Sequence, residues 1–302
     1  MKDVYTLDDL RNWGADDETV RLGVFGDPVE HSLSPKMQNA ALEQSGIEAR
    51  YAAFHIRADE LEEALRFLRT HNFIGVNLTL PHKVAAAALV DELDPFAREV
   101  GAVNTIRLEG DKLIGFNTDG PGFARAIRHE FSVDVRDLRV LLLGAGGGVG
   151  HAIARQCARE GCERLVLVNR TLEKAKMLAD TLRPSFSDAR VLGPVARLEA
   201  VEWKDAALRF QIANVDLVVN ATPLGMKRAD PPVLAESLIA PHLLIYDTIY
   251  TPPRTQLLHS AAQAGARGAN GLSMLLYQGA LAFEIWFGRD APIDAMRSAL
   301  LL

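Results

Sequence analysis

The sequence predicts an α/β protein of two domains, and three observations carry the prediction. The chain has 302 residues, more than one domain usually needs. Short apolar runs alternate with segments of helical spacing along most of its length. A glycine cluster follows directly on a strand without polar residues, in the run Val140-Leu141-Leu142-Leu143-Gly144-Ala145-Gly146-Gly147-Gly148-Val149-Gly150.

The elements follow in order. Residues 1–20 read as a short polar opening in which Thr6 caps a helix through Trp13, with Asp9 near its positive end. Leu22 to Gly26 is a strand stopped by Asp27-Pro28. Pro35 to Gly46 has helical spacing, Arg50 to Ile56 is extended, and Asp59 to Leu68 places Leu61, Leu65 and Leu68 on one helix face. Phe73 to Leu80 is rich in strand formers and ends at Pro81; Lys83 to Leu93 reads as an alanine-rich helix. Val103 to Leu108 and Lys112 to Phe116 form a hairpin around Glu109-Gly110-Asp111. A second series begins near residue 120. Its strands are Asp137 to Leu143, Leu165 to Val168, Val215 to Asn220 and Leu243 to Tyr246; its helices include Ala152 to Glu160 and Leu172 to Leu182. Strands without a polar face at βαβ spacing imply an open parallel sheet. Pro184 to Asp205 is the least readable stretch, and two helices close the chain, Leu272 to Phe287 and Ile293 to Leu301.

Composition narrows the function. With 48% hydrophobic and 24% charged residues the chain can bury sizeable cores. The net charge of −6 and the lack of any basic run argue against a nucleic-acid partner. The two cysteines, Cys157 and Cys162, are too few for a disulfide framework or a structural zinc and read as helix packing, so no metal is expected. The N-terminus lacks the apolar core of a signal peptide, and no run of about 18 apolar residues exists to cross a membrane. A cytoplasmic protein is expected.

The glycine cluster stands between a strand and a helix, where such clusters bind phosphate: bare backbone can approach the anion, and helix N–H groups point at it. Gly144, Gly146 and Gly150 give a G-x-G-x-x-x-G spacing. A NAD site places a carboxylate at the tip of the next strand. Here that tip is Asn169-Arg170-Thr171, with Lys174 one turn later, and these cations suit the 2′-phosphate of NADP. A nicotinamide enzyme also needs a proton carrier. None of the five tyrosines has a lysine four residues on, which removes the Tyr-x-x-x-Lys solution, and the cysteines are too few for a catalytic zinc. What remains is Lys83, just past a strand ended by Pro81, and Asp119, at the end of Gly115-Phe116-Asn117-Thr118-Asp119. By spacing alone such a pair reads more readily as a surface salt bridge, so the spacing does not establish the site. His82 beside Lys83 reads as helix-start surface.

Several stretches, in this order, resemble the shikimate dehydrogenase family over nearly the whole chain. They are Val24-Phe25-Gly26-Asp27-Pro28 with His31-Ser32-Leu33-Ser34-Pro35, Asn77-Leu78-Thr79-Leu80-Pro81-His82-Lys83, Gly101-Ala102-Val103-Asn104-Thr105 and Asn117-Thr118-Asp119-Gly120. The glycine loop, Asn169-Arg170-Thr171, Asn220-Ala221-Thr222-Pro223-Leu224-Gly225-Met226, Tyr246-Asp247 with Tyr250, and Gly271-Leu272 with Gln278 continue the likeness. The resemblance implies a substrate domain from residues 1–119, completed by the C-terminal helices returning over 272–302, and a Rossmann-type NADP domain over 120–271. It implies reversible NADP-dependent reduction of 3-dehydroshikimate to shikimate, on the route to aromatic amino acids, by a monomer or homodimer. It makes Lys83 and Asp119 the catalytic pair. Ser32, Ser34 and Tyr250 correspond to substrate-carboxylate contacts, and Asn77, Thr79, Asn104 and Gln278 to ring-hydroxyl and carboxylate partners. Thr222, Thr248 and Gly271 fall where the family lines the nicotinamide, and Gly144, Ala145, Gly146, Gly147, Gly148, Asn169, Arg170, Thr171 and Lys174 where it holds the rest of the cofactor. The chain departs from the family in a glycine loop one glycine longer, in Asn270 and Ser273, and in some 20 residues before Arg21. The alternative is a relative that oxidises quinate or an aminated analogue with NAD; a non-catalytic ligand sensor would be expected to lack Lys83 or Asp119, and both are present.

Overall fold

In the computed structural model, residues 2, 4–14, 19–187 and 195–300 are described. The chain divides into two compact units, residues 1–122 with 275–302, and residues 123–274. Among the described residues no helix is long and apolar enough to cross a membrane.

The first unit holds a seven-stranded mixed sheet. Its strands are β1 (Val4–Thr6), β2 (Val20–Gly26), β3 (Arg50–His55), β4 (Gly75–Leu78), β5 (Glu92–Leu93), β6 (Thr105–Glu109) and β7 (Lys112–Phe116). They lie in the order β1-β3-β2-β4-β6-β7-β5, with β6 antiparallel to both β4 and β7. Period-2 alternation buries both faces. Tyr51 and Ala53 of β3 join a core with Met37 and Leu42 of α2 (Ser34–Gln44), Phe283 of α11 (Leu272–Phe287) and Met296 of α12 (Ile293–Leu300). Ala52 and Phe54 face the other core, with Leu61, Leu65 and Leu68 of α3 (Leu61–Thr70). Leu301, expected in the last helix, lies outside the described residues.

The polar opening is part of the fold: β1 pairs in parallel with β3, and α1 (Leu7–Arg11) follows, with a capping box between Thr6 and Asp9. Tyr5, Leu7 and Leu10 are buried, and Trp13 stacks on Phe54 and His71 just beyond the helix. The alanine-rich helix from Lys83 to Leu93 is also cut short. Only α4 (Lys83–Ala86) is helical, and β5 occupies Glu92–Leu93. The sheet wins over alanine propensity because Asp91 N donates to Leu113 O (2.9 Å) and Asp94 N to Gly115 O (2.9 Å), tying the segment to β7. Asp94 then caps α5 (Pro95–Val100), which helical spacing had not revealed.

The second unit is built on a six-stranded, all-parallel sheet. Its strands are β8 (Arg139–Leu143), β9 (Arg164–Asn169), β10 (Leu198–Glu202), β11 (Leu217–Asn220), β12 (Leu244–Asp247) and β13 (Arg267–Ala269). The order β10-β9-β8-β11-β12-β13 turns at β8, where the strand order reverses and α/β sheets open a crevice. Leu141, Val166, Val218 and Ile245 share one core with Leu208 and Ile212 of α9 (Asp205–Ile212) and Leu257 of α10 (Gln256–Gln263). The helix after the glycines, α7 (Gly148–Glu160), starts four residues before the expected Ala152, whereas α8 (Leu172–Leu182) has its expected ends. The unreadable stretch conceals β10; residues 188–194 within it lie outside the described residues.

Candidate active site

In the first unit the antiparallel register assembles the site. Asn77 pairs with Thr105, and Thr105 with Phe116, so the end of β4 and the end of β7 meet at one edge of the sheet. The residues that follow them are Lys83 and Asp119. Lys83 Nζ lies 2.7 Å from Asp119 Oδ2, with the side chains only 15% and 7% exposed. Desolvation offsets most of the attraction in a pair this far out of water, yet removing one partner costs more than breaking a surface salt bridge.

The carboxylate is held from behind. Asn104 Nδ2 donates to Asp119 Oδ1 (2.9 Å) and to Thr118 Oγ1 (2.9 Å), while Asn104 Oδ1 accepts from Thr118 N (2.8 Å). Asn117 Oδ1 accepts from Asp119 N (3.1 Å), fixing the turn into α6 (Asp119–Phe131). Asn77 joins the network, donating to Asn104 O (3.2 Å) and Thr105 Oγ1 (3.0 Å) and accepting from the Tyr51 hydroxyl (2.8 Å). Burial pushes the Tyr51 phenol well above its ordinary range, so it stays a donor. Asn77, Lys83, Asn104 and Asp119, spread over 43 positions, thus form one hydrogen-bonded chain.

Ser32 and Ser34 lie in the turn from β2 into α2, where Ser32 Oγ accepts from Ser34 N (3.3 Å). His55 at the end of β3 meets Asp27 of that turn at 3.0 Å. Thr79 sits against the same turn, its methyl occupying the space that Gly26 leaves open. Gln278 on α11 reaches the start of α6 because Gly122 has no side chain: a Cβ there would lie 2.9 Å from Gln278 Cβ. Tyr250 belongs to the second unit, beyond β12.

His82 departs from its expected surface position and is buried, at 1% exposure. Its Nε2 lies 2.7 Å from Ile56 O, which draws the ring under the end of β3, while Nδ1 has no partner among the described residues. Burial holds its pKa below the ordinary histidine value. The sequence carries no signal for this, since a polar residue at a helix start usually faces water.

In the second unit the glycine loop spans β8 and α7. Gly144 has φ +91°, and an added Cβ at Gly150 would meet Gly144 O at 2.2 Å. At Gly146 it would lie 2.9 Å from the Asn169 amide, which itself accepts from Gly146 N (3.1 Å). Gly148 has open space instead, so packing does not demand a glycine there. Ala145 is buried and donates its N–H to Val168 O (3.1 Å), and Gly147 is the N-cap of α7. A groove of about 880 Å³ runs over this loop, lined by Gly144, Gly146, Gly147, Arg170, Lys174 and Thr222 among others. Arg170, Thr171 and Lys174 are exposed. The loop's close backbone approach and two cations at the strand tip suit a phosphorylated dinucleotide.

Thr222 Oγ1 donates to Asn220 Oδ1 (2.7 Å), and Asn220 Nδ2 to Asp247 Oδ1 (2.9 Å). Asp247 is fully buried, and burial raises its pKa against donors from Thr255, Ile249 and Asn220. Thr248 and Gly271 are neighbours: a Cβ on Gly271 would meet Thr248 O at 2.0 Å. Tyr51, Asn117, Asn220 and Asp247 are buried supports that residue type alone does not mark. The Asn-x-Thr and Asn-x-Asp spacings, which recur in Asx turns, are the signal that would have pointed to two of them.

The chain is similar to known proteins over most of its length. Residues 24–106 match the shikimate dehydrogenase substrate binding domain, 125–202 shikimate / quinate 5-dehydrogenase, and 271–301 the shikimate 5′-dehydrogenase C-terminal domain. The chain is 42% identical over 288 residues to the shikimate dehydrogenase (NADP(+)) of Methanopyrus kandleri, covering 95% of this chain and 96% of that one. To that of Symbiobacterium thermophilum it is 43% identical over 282 residues, 93% of each. The crystal structure of shikimate 5-dehydrogenase from Thermus thermophilus, in complex with NADP(H) and shikimate, superposes with a TM-score of 0.81 at 36% identity, over 93% of this chain and 98% of that one. Relatives matched over nearly their whole length, together with all three family descriptions, leave one conclusion: the chain belongs to the shikimate dehydrogenase family.

Proposed function

We propose that this protein reversibly reduces 3-dehydroshikimate to shikimate with NADP, in aromatic amino acid biosynthesis, with Lys83 and Asp119 as its catalytic pair. The observation that carries the assignment of residues is the buried Lys83–Asp119 pair at 2.7 Å, braced by Asn104. NADPH, when bound, supplies the hydride. The Lys83 ammonium gives a proton to the carbonyl oxygen as it becomes a hydroxyl, and takes it back in the oxidation. Asp119 holds that ammonium and accepts from a substrate hydroxyl. Asn104 spends both its N–H groups on Thr118 and Asp119, so it acts on the substrate chiefly by fixing the carboxylate. Ser32 and Ser34, with Tyr250, receive the substrate carboxylate, and Asn77, Thr79 and Gln278 serve its hydroxyls and carboxylate.

Gly144, Ala145, Gly146, Gly147 and Gly148 bind the pyrophosphate, Asn169 braces that loop, and Arg170, Thr171 and Lys174 take the 2′-phosphate. Thr222, Thr248 and Gly271 line the nicotinamide site. Polar sites matched hydroxyl by hydroxyl reject analogues that lack one by about 10⁴–10⁵. The enzyme works in the cytoplasm as a monomer or homodimer.

The test follows absorbance of reduced nicotinamide with shikimate and then quinate, each with NADP⁺ and NAD⁺. Shikimate with NADP⁺ should have the highest kcat/KM. Faster quinate oxidation with NAD⁺ would show instead a quinate enzyme.

A further inference from the structure

We infer that Trp203 is the adenine-binding platform of the cofactor groove; this rests on the reading that the groove takes NADP. Three observations lead there. Glu202, the last residue of β10, is in register with Asn169, so Trp203 comes next to the strand tip that carries Arg170. Trp203 lines the same groove as Gly146, Arg170 and Lys174, and it is the only aromatic among the described lining residues. Its indole N–H donates to Val233 O (3.2 Å), and part of the ring packs on the core of the second unit.

The ring's polar atom is therefore committed, its orientation is fixed from behind, and what it offers the groove is apolar π surface. The glycine loop accounts for the pyrophosphate and Arg170 with Lys174 for the 2′-phosphate. The remaining part of that half of the ligand is a flat aromatic base, which an immobilised indole suits. Stacking of a base on an aromatic side chain is worth about 1–3 kcal/mol, a factor of roughly 5 to 150 in affinity. Little rotamer freedom is lost on binding, because the hydrogen bond to Val233 has already fixed the ring.

The probe is adenosine 2′,5′-bisphosphate, which carries the base and the 2′-phosphate without nicotinamide, titrated into the full-length protein by calorimetry and by tryptophan emission. Binding should quench the emission of the wild type and not that of Trp203→Phe, whose affinity stays within about threefold because a ring remains. Trp203→Ala should weaken the bisphosphate and raise the KM for NADP⁺ by about 5- to 150-fold alike. Trp203→Leu replaces it if the alanine variant does not fold. A wild type that binds the bisphosphate without quenching, or a Trp203→Ala variant that binds it within twofold of wild type, overturns the platform while the cofactor reading stands. A wild type that binds neither the bisphosphate nor NADP⁺ overturns both.

Discussion

Replacing Lys83 by alanine strips one charge from a pair whose members are 15% and 7% exposed and 2.7 Å apart. At an effective dielectric of about 20 their gross attraction is about 6 kcal/mol, most of it offset by the desolvation of both groups. Removing one partner leaves the other charge buried, which costs about 3–5 kcal/mol in comparable pairs. Asp119 keeps the hydrogen bond from Asn104, so the lower end, about 3 kcal/mol, is expected here. Turnover should fall by about 10²–10⁴ in both directions, the usual contribution of a positioned proton carrier. The two losses separate in the double variant Lys83→Ala with Asp119→Asn. Its neutral amide needs no counter-charge, so stability in urea should recover by about 1–2 kcal/mol while turnover stays low. Urea unfolding and the rate of NADP⁺ reduction at saturating shikimate measure the two quantities. Turnover of Lys83→Ala within threefold of wild type would refute its role as proton carrier, and a double variant less stable than the single one would refute the account of the orphaned carboxylate.

Two further outcomes are expected. Arg170→Ala should raise the KM for NADP⁺ by about 10- to 100-fold, the worth of a charge-assisted hydrogen bond, and leave that for NAD⁺ within about threefold; equal losses for both cofactors would show that Arg170 does not read the 2′-phosphate. His82 is buried with Nδ1 unpartnered among the described residues, and burial holds its pKa below the unfolded value of about 6.5. Between those two values the unfolded chain binds a proton that the folded one refuses, so stability falls as pH drops through that window. His82→Gln keeps a donor for Ile56 O and cannot titrate; its urea midpoint should fall less than the wild type's between pH 7 and 5, and parallel declines would rule out His82 as the source.

Much of the second unit was legible from local pattern. Val140 to Leu143 has no polar residue because β8 is covered on both faces, and Leu172 to Leu182 shows its helix through spacing alone. Less was legible where two tendencies competed. Four consecutive alanines, Ala85 to Ala88, argue for a long helix, yet hydrogen bonds to β7 draw the chain into β5 at Glu92, four residues after Ala88. His82 shows the same limit at a single side chain: residue type sets what a ring can bond to, and the end of β3 sets whether it is buried.

The site divides along this line. The shape of the glycine loop was readable because its requirements are local: a strand, glycines whose Cβ atoms would strike Gly144 O or the Asn169 amide, and a helix start, all within a short stretch. The placement of Arg170 just past the tip of β9 and of Lys174 in the first turn of α8 was readable for the same reason. The bond between Lys83 and Asp119 was legible only through the family resemblance, because nothing near either residue specifies the other. Their meeting depends on β6 turning back antiparallel between β4 and β7, which brings Asn77, Thr105 and Phe116 into one row and the segments after two strand ends together. Glycine chemistry acts over a few bonds and leaves its mark in the sequence; a strand register is a long-range contact, and only the folded chain holds it.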